Sequence, residues 1–367
     1  DWGRDTMIAM RGLTIATGKK ELSKSILNTF FKSVDQGMIP DRFPDNAKDP
    51  VHYNTMDATL WLFVASYEYH KKFEDIAFLK DHIKILKNIL DQHIAGARYN
   101  IHITKEGFIY GGECKVQLTW MDAIVGGKVI TPRIGCPVEV NALWYNALKI
   151  YENFCQILNA DVEARYLELI TKFELNFTKF FTNPHGSLYD VIIPGTSQDD
   201  TLRPNQIYCL SLPFGVLDND QQRSILETVE NKLYTPFGLR TLDPDNPEYK
   251  PNYEGNQWSR DHAYHQGTVW PFLLHEYFKA FFKIYGTSLS NRKKVMLELE
   301  PLRQHFYKDN GIHCISEIFN GSNPKEGKGC IHQAWSVAAI IKLYIDYGLD
   351  KIEREISTEQ EPNLKKN

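Results

Sequence analysis

The feature that most limits what this chain can fold into is a regular alternation. Amphipathic helical stretches are interrupted, about every 60 residues, by loops that hold the chain's unusual side chains. Ile76, Leu79, Ile83, Leu86, Leu90 and Ile94 recur every three or four positions, as do Val162, Tyr166, Leu169, Phe173, Phe177 and Phe180. Each set predicts one buried stripe on an amphipathic helix. Further helices are predicted over 56–71, 138–158, 221–232, 268–285, 290–307 and 331–347, while strand-like alternation is confined to short places such as 107–110. The loop islands fall at 1–5, 52–61, 119–144, 199–214, 258–271 and 315–335, and together they hold all seven tryptophans, although the fourth holds none. An interval of about 60 residues accommodates two average helices with their connections, so six islands imply six helical hairpins. Six hairpins can close into a double ring, an inner layer of helices wrapped by an outer one, with one loop from each hairpin meeting at a single funnel. An open solenoid would have repeats that resemble one another. These islands differ chemically, which favours a closed ring with one site. The expected fold class is therefore all-α, an (α/α)6 toroid, forming one domain over 1–350 with a polar tail over 351–367.

Charge and cysteine usage remove several function classes. The 42 basic and 46 acidic residues leave a net charge of −4 with no long run of like charges. A nucleic-acid binder would show a basic face and a membrane-surface protein a basic amphipathic stripe; neither is present, and no apolar stretch approaches the roughly 20 residues needed to cross a bilayer. The six cysteines form no CxxC pair and no Cys/His cluster at zinc spacing. They read as reduced thiols, and a cytoplasmic location is expected. No GxxxxGK[ST] loop, GxGxxG turn or GxSxG elbow occurs. His262 and His265 stand three apart without the acid of an HExxH motif, so polar contacts or ring packing are expected there, with no metal and no cofactor.

What remains is tryptophan beside carboxylates. A sugar ring offers apolar C–H faces that stack on indole and hydroxyls that need charged or amide partners. Glycosidic cleavage needs a carboxylic acid to protonate the leaving oxygen and a carboxylate to attack or to activate water. An indole beside a carboxyl also lowers local polarity and raises its pKa. Asp122 follows Trp120 by two residues at the head of a Gly-rich loop and is the candidate acid; residue types alone would equally allow it to cap a turn. Glu317, in Ile315-Ser-Glu-Ile-Phe-Asn-Gly321, is the candidate base. By spacing alone it is not separable from an ordinary surface charge.

At these residues the chain resembles the C-terminal amylo-α-1,6-glucosidase domain of glycogen debranching enzymes. The likeness is carried by Asp1-Trp-Gly-Arg-Asp-Thr-Met7, Ile39-Pro-Asp-Arg-Phe-Pro44, Tyr53-Asn-Thr-Met-Asp-Ala-Thr-Leu-Trp61, Thr119-Trp-Met-Asp-Ala123, Thr131-Pro-Arg-Ile-Gly135, Pro137-Val-Glu-Val-Asn141, Arg203-Pro-Asn-Gln206, Tyr264-His-Gln-Gly-Thr-Val-Trp-Pro271 and Gln333-Ala-Trp-Ser336, which span nearly the whole chain. The resemblance implies an (α/α)6 barrel that removes single α-1,6-linked glucose stubs from glycogen or limit dextrin, with inversion. It makes Asp122 the general acid and Glu317 the general base, although eukaryotic members carry Asp where this chain has Ser322. Arg4 and Asp5 match a pair that grips the terminal glucose. Around them, Trp120 is the expected stacking wall, Asn54 and Asp57 are candidates for sugar hydroxyls, Glu139 either binds sugar or orients Arg133, and His265, Gln266 and Trp270 are expected to line the funnel. The partner implied is an α-glucan, together with an N-terminal β-rich domain that family members carry and that a chain opening at Asp1 without Met is expected to lack. Other inverting (α/α)6 glucosidases, such as glucoamylase, trehalase or glycosylglycerate hydrolase, and a non-catalytic glycan-binding domain remain the alternatives.

Overall fold

The computed structural model describes residues 1–46, 48–309, 311 and 313–352. The tail expected over 351–367 lies outside the described residues from 353 on. Helices dominate, and their burial patterns divide them into two kinds. Helix α3 (Asp57–Phe73) buries every residue from Asp57 to Ser66, and α5 (Val138–Ile157) every residue from Val138 to Leu148. A helix apolar on all sides belongs inside a protein. By contrast α4 (Ile76–Ala95) and α6 (Ala164–Phe181) each bury one stripe, Phe78, Leu79, His82, Leu86, Ile89, Leu90 and His93 in the first, Tyr166, Ile170, Phe173, Phe177 and Phe181 in the second. The stripe on α4 is rotated from the expected one: Ile76 is exposed, and His82 and His93 take core positions because each ring Nδ1 bonds the carbonyl four residues back.

The inner helices pack in cyclic order. Helix α1 (Gly3–Met10), which runs on into a π-helical stretch at Arg11–Ala16, packs on α3; α3 packs on α5; α5 on the short α7 (Tyr208–Ser211); α7 on α10 (Leu273–Tyr285); α10 on α12 (Ala334–Tyr347); and α12 returns to α1. Outside them run α2 (Lys20–Lys32), α4, α6, α8 (Asn219–Lys232) and α11 (Leu289–Lys308). Each follows its inner partner through a short connection, with α8 started by a capping box between Asp218 and Gln221. Helix α12 has no outer helix against it among the described residues, and an apolar groove of about 740 Å³ lies between it and α11.

Strands of two or three residues amend the all-α expectation. They occupy the loops at the same end as the inner helices' N-termini, and the largest sheet is five-stranded and antiparallel in the order 327–328, 318–319, 269–270, 238–240, 234–235. The helix expected over 268–285 accordingly starts only at Leu273, because Val269 pairs with both Phe319 and Arg240, and Pro271 biases Trp270 to extended backbone. Among the described residues no helix is long and apolar enough to cross a membrane.

Gly12 marks where the ring closes. A Cβ there would stand 2.1 Å from the Ala338 carbonyl oxygen, so only glycine lets the π-helical stretch approach α12 this closely. Because the obstacle is backbone, Gly12→Ala is expected to lower stability by about 1–3 kcal/mol. A thermal unfolding midpoint unchanged from wild type would show that this contact does not hold the ring.

Candidate active site

The N-terminal ends of α1 and α12 open onto one cavity, and those of α3 and α5 stand behind its wall. Arg4 and Asp5 lie in the first turn of α1, Asp57 is the first residue of α3, Glu139 is in the first turn of α5, and Gln333 is the N-cap of α12. Free N–H groups and the partial positive charge of helix N-termini favour carboxylates at such a place. The cavity, about 560 Å³, is lined by seven of the twelve expected site residues: Arg4, Asp5, Trp120, Asp122, His265, Trp270 and Glu317.

Around Asp122, everything turns on Arg4. Its Nε donates to both oxygens of Asp57 at 2.9 Å, Nη2 to the Thr55 hydroxyl at 3.3 Å, and Nη1 to Asp122 Oδ2 at 3.0 Å. Asp57 is also fixed by the Thr55 hydroxyl at 2.7 Å and is buried behind the wall, so it holds Arg4 and is not placed for sugar hydroxyls. Burial works against the Arg4 charge, but Asp57, Asp122, Asp41 and Asp5 outweigh it and hold its pKa above the ordinary value. A guanidinium carries five N–H donors, and those not committed here are available to a ligand. Asp122 is pushed up to about 6, mainly by removal of its carboxyl from bulk water, with Arg4 opposing and Asp41 and Asp57 adding to the rise. Its side chain is still 44% accessible, opening to the water of a concave site. Asp5 is likewise raised to about 6, by burial first, with Arg4 opposing and the charge of Glu317 adding to it.

Glu317 precedes the strand at 318–319 and is held at both oxygens. Oε1 accepts from the Tyr264 hydroxyl at 2.6 Å and from Gln333 Nε2 at 3.4 Å, and Oε2 accepts from the Cys330 N–H at 2.9 Å. Gly329, at φ +67°, makes room: a Cβ there would lie 2.3 Å from Oε2. Burial and the Glu317 charge raise the Tyr264 pKa, so its proton stays in this bond. Ser322 is exposed and donates to Asn252 Oδ1 at 2.6 Å, away from the cavity wall.

The remaining wall is aromatic and is braced from behind. Trp120 meets Trp270 and His265 edge-on, at centroid distances of 5.3 and 5.4 Å, and His265 stacks on Trp270 at 5.2 Å. Burial, with Arg203, Arg4 and Arg133 nearby, holds His265 well below its ordinary pKa, so the imidazole is neutral. The Trp120 indole N–H donates to Asn205 Oδ1 at 2.8 Å, and Asn205 Nδ2 donates to Asp190 Oδ1 at 2.7 Å. Arg133 then binds Asp190 through Nε at 2.8 Å and Glu139 through Nη2 at 2.7 Å. Arg133 and Glu139 are therefore buried braces and not parts of the wall. Gln266 is also off the wall, its Oε1 accepting from Arg203 Nη2 at 2.9 Å. Asn54 lines a separate pocket with Asp41 and His52, next to Trp2. Sequence reasoning did not single out Tyr264, Gln333 or Asn205. Each lies within a motif quoted above, but the partner of each is 16 to 85 positions away, a separation that residue order does not encode.

Asp5, Asp122 and Glu317 share one cavity with an aromatic wall, and solved structures show the same fold as this frame of helical hairpins. GH63 mannosylglycerate hydrolase from Thermus thermophilus, in complex with Tris and D-glycerate, superposes with a TM-score of 0.69 at 13% identity, covering 94% of this chain and 93% of its own. GH78 family rhamnosidase of Bacillus sp. GL1 gives 0.64 at 15% identity, covering 95% of this chain and 31% of its own. Residues 1–342 match the family model of amylo-alpha-1,6-glucosidase, and the chain belongs to that family. The glycogen debranching enzyme of Saccharomyces cerevisiae is 24% identical to it, over 94% of this chain and 29% of the yeast protein's length.

The raised Asp122 pKa makes a prediction about stability. A carboxyl with a folded-state pKa above its unfolded value costs stability once pH rises past the unfolded value, near 3.8, and the cost is complete above about 6. Asp122→Asn removes that cost while still accepting from Arg4. Its melting temperature is expected to exceed that of wild type at pH 8, with the gap closing toward pH 4; a gap that does not vary with pH would contradict the reading.

Proposed function

We propose that the cycle of inner helices with its outer layer is an (α/α)6 toroid, and that its cavity hydrolyses single α-1,6-linked glucose stubs of an α-glucan with inversion. The observation that carries this reading is the unlike treatment of two carboxyls in one cavity. Asp122 has a pKa raised to about 6 and one oxygen not engaged by Arg4, the state of a proton donor. Glu317 accepts hydrogen bonds from three donors at its two oxygens, which fixes its carboxyl as an acceptor in the cavity wall. Family membership supports glycoside hydrolysis, and the debranching relative supports an α-glucan as the substrate.

The steps follow from these roles. A terminal glucose enters the cavity, where Asp5 and the uncommitted N–H groups of Arg4 take its hydroxyls and the Trp120 wall covers an apolar face. Among the described residues the Asp5 carboxylate interacts only with its own backbone N–H and with nearby charges, so it is open to such bonds. Protonated Asp122 donates to the bridging oxygen as that bond breaks and positive character develops at the anomeric carbon. Glu317, steadied by Tyr264 and the Cys330 N–H, takes a proton from the attacking water. Inversion needs the two carboxyls about 6.5–9.5 Å apart, to leave room for that water. β-Glucose leaves.

The test is a limit dextrin bearing single α-1,6 glucose stubs, with the anomeric protons followed by NMR. Initial β-glucose is expected from wild type and not from Asp122→Asn or Glu317→Gln, each expected to lower kcat by at least about 100-fold. Initial α-glucose would rule out inversion. Because the acid must be protonated, kcat/KM is expected to fall as pH rises through about 6; a rate that climbs steadily to pH 8 would remove Asp122 from the acid role.

A further inference from the structure

Trp258 has no part in the chemistry above, yet among the seven tryptophans only it and Trp2 are exposed. It sits on α9 (Gln257–Ala263) and is 51% accessible, beside a shallow pocket of about 430 Å³ that it shares with Tyr249, Lys250, Asn252, Ser259 and His262. This surface is built into both catalytic loops. On one side, the residues just after Glu317 tie it down: the Gly321 N–H donates to the Pro251 carbonyl at 2.7 Å, Asn320 Oδ1 accepts from the Tyr253 N–H at 2.8 Å, and Ser322 holds Asn252. On the other, the Trp258 ring rests on the turn of the hairpin that follows Asp122, where a Cβ on Gly126 would lie 3.3 Å from it.

The polar groups around the indole are placed for neutral hydroxyls. His262 uses Nδ1 on the Trp258 carbonyl at 2.8 Å, which leaves Nε2 as an acceptor. Asn252 uses its oxygen on Ser322, which leaves its amide N–H groups. Among the described residues no hydrogen bond or ion pair engages the Lys250 ammonium or the Ser259 hydroxyl. An indole face ringed by an amide, a hydroxyl, an imidazole and one ammonium suits the C–H face and hydroxyls of a sugar. An anionic ligand would call for clustered cations, and the pocket lining holds one lysine and no arginine.

We infer that Trp258 and the pocket beside it form a second α-glucan site, which holds a stretch of linear glucan outside the cavity while a branch stub occupies the cavity itself. That the two sites act on one polymer rests on the proposed function. Binding at Trp258 does not.

The experiment uses the whole chain, with maltoheptaose as a linear glucan and 1-deoxynojirimycin as a monosaccharide-sized probe of the cavity, each titrated by calorimetry. Trp258→Ala is expected to weaken maltoheptaose binding about tenfold or more and to leave 1-deoxynojirimycin unchanged, with KM for limit dextrin raised and kcat kept. The double variant Lys250→Ala/Ser259→Ala, which leaves the Trp258 contact with the hairpin in place, is expected to weaken maltoheptaose in the same direction. Maltoheptaose affinity unchanged in both variants overturns the inference, as does an equal loss of 1-deoxynojirimycin binding in Trp258→Ala. If wild type releases no glucose but its maltoheptaose binding still depends on Trp258, the hydrolytic reading fails and the second site stands.

Discussion

One buried guanidinium connects the closure of the ring to the chemistry of the cavity. Arg4 stands at the start of α1, reaches Asp57 at the start of α3, and extends to Asp122 on the loop that leads to α5. A single side chain thereby ties together the N-terminal ends of two inner helices and the loop that carries Asp122. The buried Arg4–Asp57 pair holds the arrangement: removal of either of these two partners leaves the other desolvated and uncompensated, a loss of about 3–5 kcal/mol. Asp57 is thus a positioning residue whose worth to the site is exerted through Arg4. Asp122 has a raised pKa although it is bonded to an arginine, because removal of its carboxyl from bulk water outweighs Arg4, and Asp41 and Asp57 add negative charge beside it.

Two further ion clusters divide the interior between them. At the cavity end, Arg133 lies between Glu139 and Asp190 and braces Asn205, which fixes the indole of Trp120. Farther along the inner helices, Arg11 pairs with Glu68 and Glu276, joining α1's π-helical continuation to α3 and α10 across the ring. Such contacts add directionality that apolar packing lacks, since a methyl group tolerates rotation and a bidentate pair does not. The aromatic wall of Trp120, Trp270 and His265 is therefore held from behind by charge and faces the cavity as an apolar surface.

Most of the fold was legible in the sequence because inner and outer helices obey different physical demands. Outer helices must show one apolar stripe, and 162–180 shows it; inner helices are buried on all sides, and 138–148 is mostly apolar all round, with Glu139, Asn141 and Asn146 as its polar exceptions. The strand at 269–270 was not legible, because Val269 and Trp270 read as the start of a helix until Arg240 and Phe319 are known to lie beside them. Of the site, residue types and the family resemblance together pointed to Asp122 and Glu317, and both line the cavity; residue types alone did not separate Glu317 from a surface charge. Arg133, Glu139 and Asp57 carried the same signal, a charge inside an apolar motif, and yet stand behind the wall. Burial of a charge marks importance, but it does not say whether the charge meets a ligand or another residue.

The sequence by itself determined that this chain is a set of helical hairpins whose loops carry carboxylates and indoles, since periodicity and composition follow from which faces must leave water. Only the tertiary structure decided which of those loops share a cavity. Glu317 becomes a candidate base because Tyr264, 53 positions away, and the Cys330 N–H converge on it, and Asp122 a candidate acid because Arg4, 118 positions away, binds one of its oxygens and leaves the other open. Ring closure creates these proximities. It depends on backbone contacts such as Gly12 against Ala338, which leave no periodic trace in the order of residues.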